Sequence, residues 1–515
     1  MRGDGWFRLK RKSPKQKKKT YEPSADPNYP SFSDKLKDNE KAIRKLLGDS
    51  TDFITRELMI SWGEERNHPI LLLYLDGMAD SRAIQNDILP SLMDRQPSSD
   101  WPRGDVLGAI QSILTVSDMC RVELSKEAVS AVLQGGLLIL TEASTDALSI
   151  ALPGWQDRGV SETQTQTVVR GPQEAFNENL RTNTTLIRRK IHDPRLWMVT
   201  RTVGNVTKTN VAIMYMNGIA TDEDVNQVLQ RIDQIDIDSV FDGEYIEEFL
   251  QTKQKTLFPT VYNTERPDTV ASGLVEGRIA ILVEGTPFVL LVPALFIDFI
   301  QSAEDYYQSY IFGTLIRSVR LLALVIALLA PSIYVALTTF HQEMIPTQLL
   351  FSLAAQREGI PFPAFIEALL MEVTFEILRE AGIRMPRSIG QAVSIVGTIV
   401  IGQAAVEAGI VSAGMVIIVA ITAISSFVIP SYNMAIAIRI IRFVLMILAA
   451  TFGLYGIMTG CLVLVIHLSG LRSLGIPYMS PLGPYQANKL SDSVFRLPER
   501  LMNKGDRVGS RRGLR

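Results

Sequence analysis

Cysteine and histidine are scarce in this chain of 515 residues, which contains two cysteines and four histidines. Cys120 and Cys461 cannot build a disulfide framework, and no His/Cys cluster has the spacing of zinc ligands. Common enzyme motifs are also missing: there is no P-loop, no Gly-x-Ser-x-Gly elbow, no His-Glu-x-x-His and no GxGxxG after a strand. We therefore expect no metal, no cofactor and no enzymatic activity.

An excess of one charge is also lacking. Lys and Arg total 52 against 54 Asp and Glu, which gives a net charge of -2, so binding of nucleic acid through a basic face is not expected. The mean hydropathy is nevertheless positive, at +0.15, although 21% of the residues are charged. The charges must be unevenly distributed, which indicates that part of the chain lies in lipid.

Both ends of the chain are basic. The N-terminus is rich in Lys and Arg and has no apolar segment of a cleavable signal, and the tail after residue 484 has eight Lys or Arg against three acids. The positive-inside rule places both ends in the cytoplasm, with an even number of crossings between them. We interpret 1–54 as a basic flexible arm, either simply solvated or attracted to anionic lipid, and 485–515 as a basic cytoplasmic tail.

The first half of the chain contains an internal repeat. Residues 72–79 match 213–220, each an apolar run of strand type closed by an Asx-Gly turn, and residues 133–140 match 275–282. Such runs, followed by polar helix-like segments, predict an α+β protein with two related cytoplasmic α/β subdomains. The predicted bounds are 55–155 and 195–300, with 156–194 as a polar connector.

One apolar run in the second subdomain could be mistaken for a membrane span. Residues 279–300 are long enough to cross a bilayer. The sequence Glu284-Gly285-Thr286-Pro287 interrupts the run with a turn signal, and the repeat gives it a counterpart in the first subdomain. This pattern predicts a β-hairpin.

The composition of residues 301–484 predicts a multi-pass α-helical membrane domain. The run 321–342 has 22 residues without Asp, Glu, Lys or Arg, 389–438 has 50 with the single charge of Glu407, and 443–471 has 29 without charge. About 20 apolar residues suffice for one crossing. Predicted membrane helices lie near 318–342, 389–407, 410–430 and 440–470. Gly456 and Gly460 form a GxxxG pattern that indicates close helix packing.

A further helix near 363–381 carries an acidic stripe. Glu372, Glu376 and Glu380 recur at every fourth position and so share one helical face. Because charges at mid-bilayer are unfavourable, we place this helix at an interface or in a re-entrant position, where the stripe could form an acidic vestibule. A full crossing would raise the count from four to five.

The next helix carries a polar stripe on an apolar background. Its members are Gln391, Ser394, Thr398 and Gly402, and Gly397 lies beside them. Two interpretations remain open: small and hydroxylated residues that pack helices together, and a pore wall in contact with water.

Several long motifs in the second half resemble one protein family. They are APSIYVAL at 330–337, FHQEMIP at 340–346, FEILREAGIRMP at 375–386 and VGTIVIGQAAV at 396–406. Together they resemble the A subunit of the GerA family of bacterial spore germination receptors, and the resemblance extends in weaker form back to about residue 55.

The resemblance implies a subunit of a receptor complex in the inner membrane of a dormant endospore. Its implied partners are a transporter-like B subunit, thought to bind the nutrient, and a lipoprotein C subunit. It also implies a homo-oligomer that conducts cations when germination starts. The alternative is a non-conducting membrane scaffold that recruits the transporter-like subunit.

Overall fold

The computed structural model describes residues 29, 32–62, 67–94, 105–116, 118–154, 161–163, 165–251, 255–385, 402–485, 492–493 and 495–498. These residues form two antiparallel five-stranded sheets followed by a helical bundle. The fold class is therefore α+β.

The first sheet is buried on both faces by helices. Its strands are β1 (Phe53–Ser61), β2 (Asn67–Leu75), β3 (Met119–Val122), β4 (Gly136–Thr141) and β5 (Ala147–Ala151), and they lie in the order β1-β2-β4-β5-β3. The helices of this unit are α1 (Leu36–Leu46), α2 (Ser81–Ala83), α3 (Leu89–Asp94), α4 (Val106–Ile113) and α5 (Ser125–Leu133). Strand β4 is buried at every position. Successive side chains along this strand point to opposite faces of the sheet, and each face is covered by its own hydrophobic core.

The second sheet repeats the first. After a short ribbon of β6 (Ser161–Glu162) and β7 (Glu174–Ala175), it is formed by β8 (Leu196–Val203), β9 (Thr209–Met216), β10 (Tyr262–Thr264), β11 (Ile279–Val283) and β12 (Val289–Val292). Its order is β8-β9-β11-β12-β10, the same path as in the first sheet. The accompanying helices are α6 (Leu180–Lys190), α7 (Asp222–Asp233), α8 (Gly243–Leu250) and α9 (Pro267–Val275).

The cross-strand register shows that the repeat is structural. Leu72 lies opposite Ile139 in the first sheet, and their sequence counterparts Ile213 and Ile281 lie opposite each other in the second. All four side chains are fully buried. The predicted hairpin is also confirmed, since β11 and β12 pair antiparallel.

Both units begin earlier than the sequence indicated. Helix α1 packs Ile43 and Leu47 into the first core, so the basic arm does not extend to residue 54. Helix α6 packs Leu186 and Ile187 under the second sheet, within the segment predicted as a polar connector. The polar composition of α6 suggested an exposed connector, but a polar side chain can be buried when it is hydrogen-bonded. The buried Asn183 accepts a hydrogen bond from the backbone N–H of Asn177 and donates one to its backbone oxygen.

A buried ion pair joins the two units. The guanidinium of Arg188 donates from Nε and Nη2 to the two carboxylate oxygens of Asp52, at 2.8 and 2.9 Å. Its Nη1 donates to the backbone oxygen of Leu196 at 2.8 Å. The relative exposures of the Arg188 and Asp52 side chains are 2% and 6%, so this pair fixes one sheet against the other.

The helical bundle follows the second sheet. Its helices are α10 (Glu304–Tyr307), α11 (Tyr310–Thr339), α12 (Thr347–Arg357), α13 (Ala364–Arg384), α14 (Gly402–Glu407), α15 (Ala413–Phe427) and α16 (Tyr432–Gly470), and a short ribbon of β13 (Arg472–Ser473) and β14 (Ile476–Pro477) follows. Among the described residues, α11 and α16 are the two helices long and apolar enough to cross a bilayer, and α15 is apolar but shorter.

Helix α16 folds back on itself at Gly453. The backbone there has φ 62° and ψ -142°, which is not helical. Beyond this turn, a Cβ at Gly460 would lie 2.5 Å from Leu445, and Leu468 shares a core with Met434. Residues 432–452 and 454–470 are thus two antiparallel helices, and the Gly456–Gly460 pattern packs them together.

Helix α13 runs along the bundle rather than across its end. Near its start Glu367 contacts Ser412, at the beginning of α15, and near its end Arg379 contacts Ser426. Several of its charges are therefore paired within the bundle, and its interfacial or re-entrant placement stays a prediction.

Candidate functional site in the helical bundle

The acidic face of α13 meets arginines of α16. Glu372 lies 3.0 Å from the Nη2 atom of Arg442, and each side chain is 1% exposed. One turn later, Glu376 lies 2.7 Å from Nη1 of Arg439 and 3.6 Å from Arg442. These ion pairs replace the hydration that the charges lose on burial.

Arg379 extends this network to α15. Its Nη2 atom donates to the hydroxyl of Ser426 at 2.6 Å. Its guanidinium lies 5.0 and 4.7 Å from the ring centroids of Phe375 and Phe427, within the range of cation–π contacts. The network therefore joins α13 to two other helices, α15 and α16.

A separate charge anchors the opposite end of α13. The carboxylate of Glu367 accepts hydrogen bonds from the backbone N–H and the hydroxyl of Ser412, at 3.0 and 2.9 Å. Arg357 of α12 lies 3.3 Å from the same carboxylate, whose side chain has 0% exposure. This end caps α15 and holds α12 against the bundle.

The predicted acidic stripe is thus divided. Glu372 and Glu376 are paired inside the bundle, whereas Glu380 pairs with Arg384 in an exposed position. Sequence reasoning missed the partners Arg439 and Arg442. The sequence does offer one signal for this pairing: two arginines three residues apart in one apolar segment, and two glutamates four residues apart in another.

Of the predicted pore residues, Gln391, Ser394, Gly397 and Thr398 lie outside the described residues. Gly402 is described and is buried, with Val416 of α15 3.7 Å from the position of a Cβ.

A second charge cluster joins α10, α11 and the segment at Asp492. Asp305 contacts Arg317 and Arg320 of α11 at 3.0 and 2.7 Å, and Arg317 also contacts Asp492 at 3.1 Å. The hydroxyl of Tyr306 donates to Asp492 at 2.9 Å; burial raises the pKa of this phenol far above its usual range, so it remains a donor. Arg317 and Arg320 therefore hold α11 against α10.

Direct hydrogen bonds complete this junction. The hydroxyl of Tyr478 donates to the backbone oxygen of Pro259, and that of Ser473 donates to Thr260, each at 2.8 Å. Both residues follow α16, so the end of the bundle returns to the second sheet. In the described part of the chain, no group of three or more His, Cys, Asp or Glu side chains could hold a metal ion.

Comparison with known proteins gives relatives along almost the whole chain. A family profile described as "Bacillus/Clostridium GerA spore germination protein" matches residues 41–508. Spore germination protein KA of Bacillus subtilis (strain 168) is 46% identical over 467 residues, covering 91% of this chain and 85% of the relative. Spore germination protein A1 of the same organism is 37% identical over 479 residues, or 93% and 97% of the two chains.

Two further proteins are similar. One is the uncharacterized membrane protein YfkQ of Bacillus subtilis (strain 168), 42% identical over 468 residues, which covers 91% of this chain and 90% of the relative. The other is a solved structure, the N-terminal domain of the A subunit of the Bacillus megaterium spore germinant receptor GerK3. It is 34% identical, with a TM-score of 0.42, and the match covers 52% of this chain and 98% of that domain. From the family match and the identities to the Bacillus subtilis proteins, the chain belongs to the GerA family of spore germination proteins.

Proposed function

We propose that this chain is the A subunit of a spore germination receptor and takes part in nutrient-triggered germination from the inner spore membrane. The observation that carries this proposal is the family match over residues 41–508, which includes both sheets and the bundle. A transporter-like B subunit and a lipoprotein C subunit are the partners this assignment implies.

The bundle would be the membrane-embedded part. Helix α13 has 21 residues, enough at 1.5 Å per residue for about 30 Å of hydrocarbon. Its charges are compatible with that position because Glu372 and Glu376 face arginines rather than lipid. Five helical segments would then run between the two faces of the membrane: α11, α13, α15 and the two halves of α16.

The number of crossings would be even if the helix predicted from the sequence near 389–407 also spans the membrane. That helix, α11, α13, α15 and the two halves of α16 would make six crossings, where the sequence analysis gave four or five. Both termini would then lie on one side, the cytoplasmic side by the positive-inside rule.

We further propose that the chain oligomerises around a cation path. Gln391, Ser394, Thr398 and Gly402 would line it together with the neighbouring Gly397, since the sequence spacing puts the first four on one polar face of a predicted helix. The exposed Glu380 would belong to the acidic vestibule, with Glu372 and Glu376 behind it in the paired network.

Potassium flux from proteoliposomes tests conduction. Replacing Ser394 and Thr398 together by Trp should block flux, because the side chains would fill the path. The matched control replaces Ile417 and Ile424 of α15 by Trp; these residues are 59% and 65% exposed on the outer face of the bundle. Unchanged flux in the first variant would remove the pore assignment.

A non-conducting scaffold is the alternative, and the pairing of Glu372 and Glu376 favours it because paired acids attract no passing cation. A scaffold keeps the polar stripe dry. Single cysteines at 394 and 398, in a chain with Cys120 and Cys461 changed to Ser, should then resist aqueous thiol reagents. Rapid labelling at both positions would favour the channel.

A further inference from the structure

Helix α8 of the second sheet unit presents aromatic rings to solvent. Tyr245 and Phe249 on the helix and Phe241 just before it recur at every fourth position, so they lie on one side, and they are 44%, 40% and 66% exposed. The rings of Phe241 and Tyr245 lie 6.5 Å apart in an edge-on arrangement. The opposite face of α8 is buried, since Ile246 and Leu250 belong to a core of this unit. Helix α8 therefore has a second apolar face that the described residues leave largely uncovered.

Acidic side chains lie between these rings. Asp242, Glu244 and Glu248 are exposed, and no ion pair among the described residues includes them. Burial raises the pKa of Glu244, and the carboxylates of Asp242 and Glu248 raise it further. A cation placed among these like charges would relieve their repulsion. The three acids and the three aromatic residues together define the α8 surface.

The first 20 residues of the chain have the complementary composition. They contain nine Lys or Arg against the single acid Asp4, and they include the neighbouring aromatic residues Trp6 and Phe7. Carboxylates attract such cations, the faces of Tyr and Phe rings also bind them, and aromatic side chains are frequent anchors of protein contacts. The family match begins at residue 41, so family membership assigns no role to this segment.

The attachment point of this segment puts α8 within its reach. Tyr29 lies against Lys126 of α5 in the first sheet unit, with 5.9 Å between the ammonium and the ring centroid. At about 3.3 Å per residue, the residues before Tyr29 extend over as much as roughly 90 Å. A folded unit of about 100 residues has a radius of gyration of only about 13 Å. The basic segment is therefore long enough to cross from the first sheet unit to α8 in the second.

We propose that the α8 surface is the docking site of residues 1–20 of the same chain, with Lys and Arg side chains against the acids and Trp6 and Phe7 beside the rings. Two other occupants fit less well. An anionic membrane surface repels the acids, and α8 of a second copy would place like charges against each other. Docking depends neither on germination nor on conduction, and it would withhold the basic segment from anionic lipid.

Photo-crosslinking in the full chain tests the proposal. The photoreactive residue p-benzoylphenylalanine replaces Phe249, and the protein is placed in nanodiscs that contain phosphatidylglycerol, so that anionic lipid competes for the basic segment. We expect a product of monomer mass in which position 249 is joined to residues 1–20, as mass spectrometry of its peptides would show. The same reagent in place of Val169, which is 91% exposed, should give no such product. Crosslinks only to a second copy, to lipid or to the basic tail, or no crosslink at all, would overturn the proposal.

A charge variant tests whether the acids recognise the segment. Glu244→Gln/Glu248→Gln should lower the crosslinking yield by roughly threefold or more, because two charge pairs are lost. Sodium chloride at about 0.3 M should lower the yield of the unchanged chain by screening the same pairs. The matched control, Glu57→Gln/Glu142→Gln, removes two exposed acids of the first sheet unit and should leave the yield as it is. Equal yields in the two double variants would contradict docking through the acids of α8.

Discussion

Glu372 of α13 and Arg442 of α16 lie 3.0 Å apart inside the helical bundle, and each side chain is 1% exposed. An arginine in an apolar helix is unfavourable by itself, and so is a glutamate. As a pair they fix the register of two helices, and each explains why the other charge is tolerated in an apolar helix.

Removing one member of this pair should strongly destabilise the bundle. Arg442→Met leaves a buried carboxylate unpaired, and we expect a loss of roughly 3–5 kcal/mol, with most of it recovered in the double variant Glu372→Leu/Arg442→Met. Thermal unfolding in detergent measures both. As a control, Arg384→Met breaks a pair whose side chains are 78% and 58% exposed and should change stability by about 0.5 kcal/mol or less. Equal losses in both single variants would contradict this account.

The junction between the two sheet units should depend on arginine specifically. Arg188→Lys keeps the charge but loses the two-pronged contact with Asp52, and we expect a cost of about 2–4 kcal/mol. Trp197, which lies against Gly48 at this junction, allows unfolding in denaturant to be followed by fluorescence. Arg201→Lys, in an exposed pair with Asp233, is the control and should leave the midpoint nearly unchanged.

The turn at Gly453 should require glycine. A side chain at φ 62° and ψ -142° is strained, and its Cβ would lie 2.7 Å from Cε1 of His341. We expect Gly453→Ala to cost about 1–3 kcal/mol. Gly470→Ala provides the comparison in the same thermal assay, because a Cβ at that position would meet no atom within 4 Å. A tolerated Gly453→Ala would contradict the proposed fold-back.

Glu247 of α8 should make stability depend on pH. This residue is 1% exposed, and burial, aided by the carboxylate of Glu244, raises its pKa from 4.5 to about 8. The folded chain therefore keeps a proton that the unfolded chain releases, and stability falls as pH rises from about 4.5 to about 8.

Glu247→Gln should flatten this dependence by at most about 1.4 kcal/mol per pH unit. Melting temperatures of both proteins between these pH values measure the difference. Glu248→Gln, at an exposed neighbouring position, should leave the slope as it is. A slope that persists in Glu247→Gln would assign it to other groups.

Local sequence patterns account for much of the first half. The first matched segment, an apolar run closed by an Asx-Gly turn, lies on β2 in one sheet and on β9 in the other. The second matched segment lies on β4 and β11, and it pairs with the first in the same register in both sheets. The turn at Glu284–Pro287 separates β11 from β12 as expected. These features were readable because each depends on neighbours in sequence: alternation, turn residues and a repeat.

The early starts of both units were not readable in this way. Helices α1 and α6 are polar overall, and only packing on a sheet distant in sequence shows which of their faces is buried. The same limit applies to the bundle, where Gly453 looks like any other glycine of an apolar helix until Leu445 and Gly460 are found in contact.

The sequence by itself determined that a duplicated α+β front half precedes an apolar helical half, because composition and periodicity are local properties. Only the tertiary structure decided where the charges of the helical half belong. Whether a glutamate faces water, lipid or an arginine depends on which helix lies beside it, and Arg439 and Arg442 are more than 60 positions away from Glu376 and Glu372 in sequence. Electrostatic partners at that separation are chosen by packing, so the network appeared only when α13 was placed against α16.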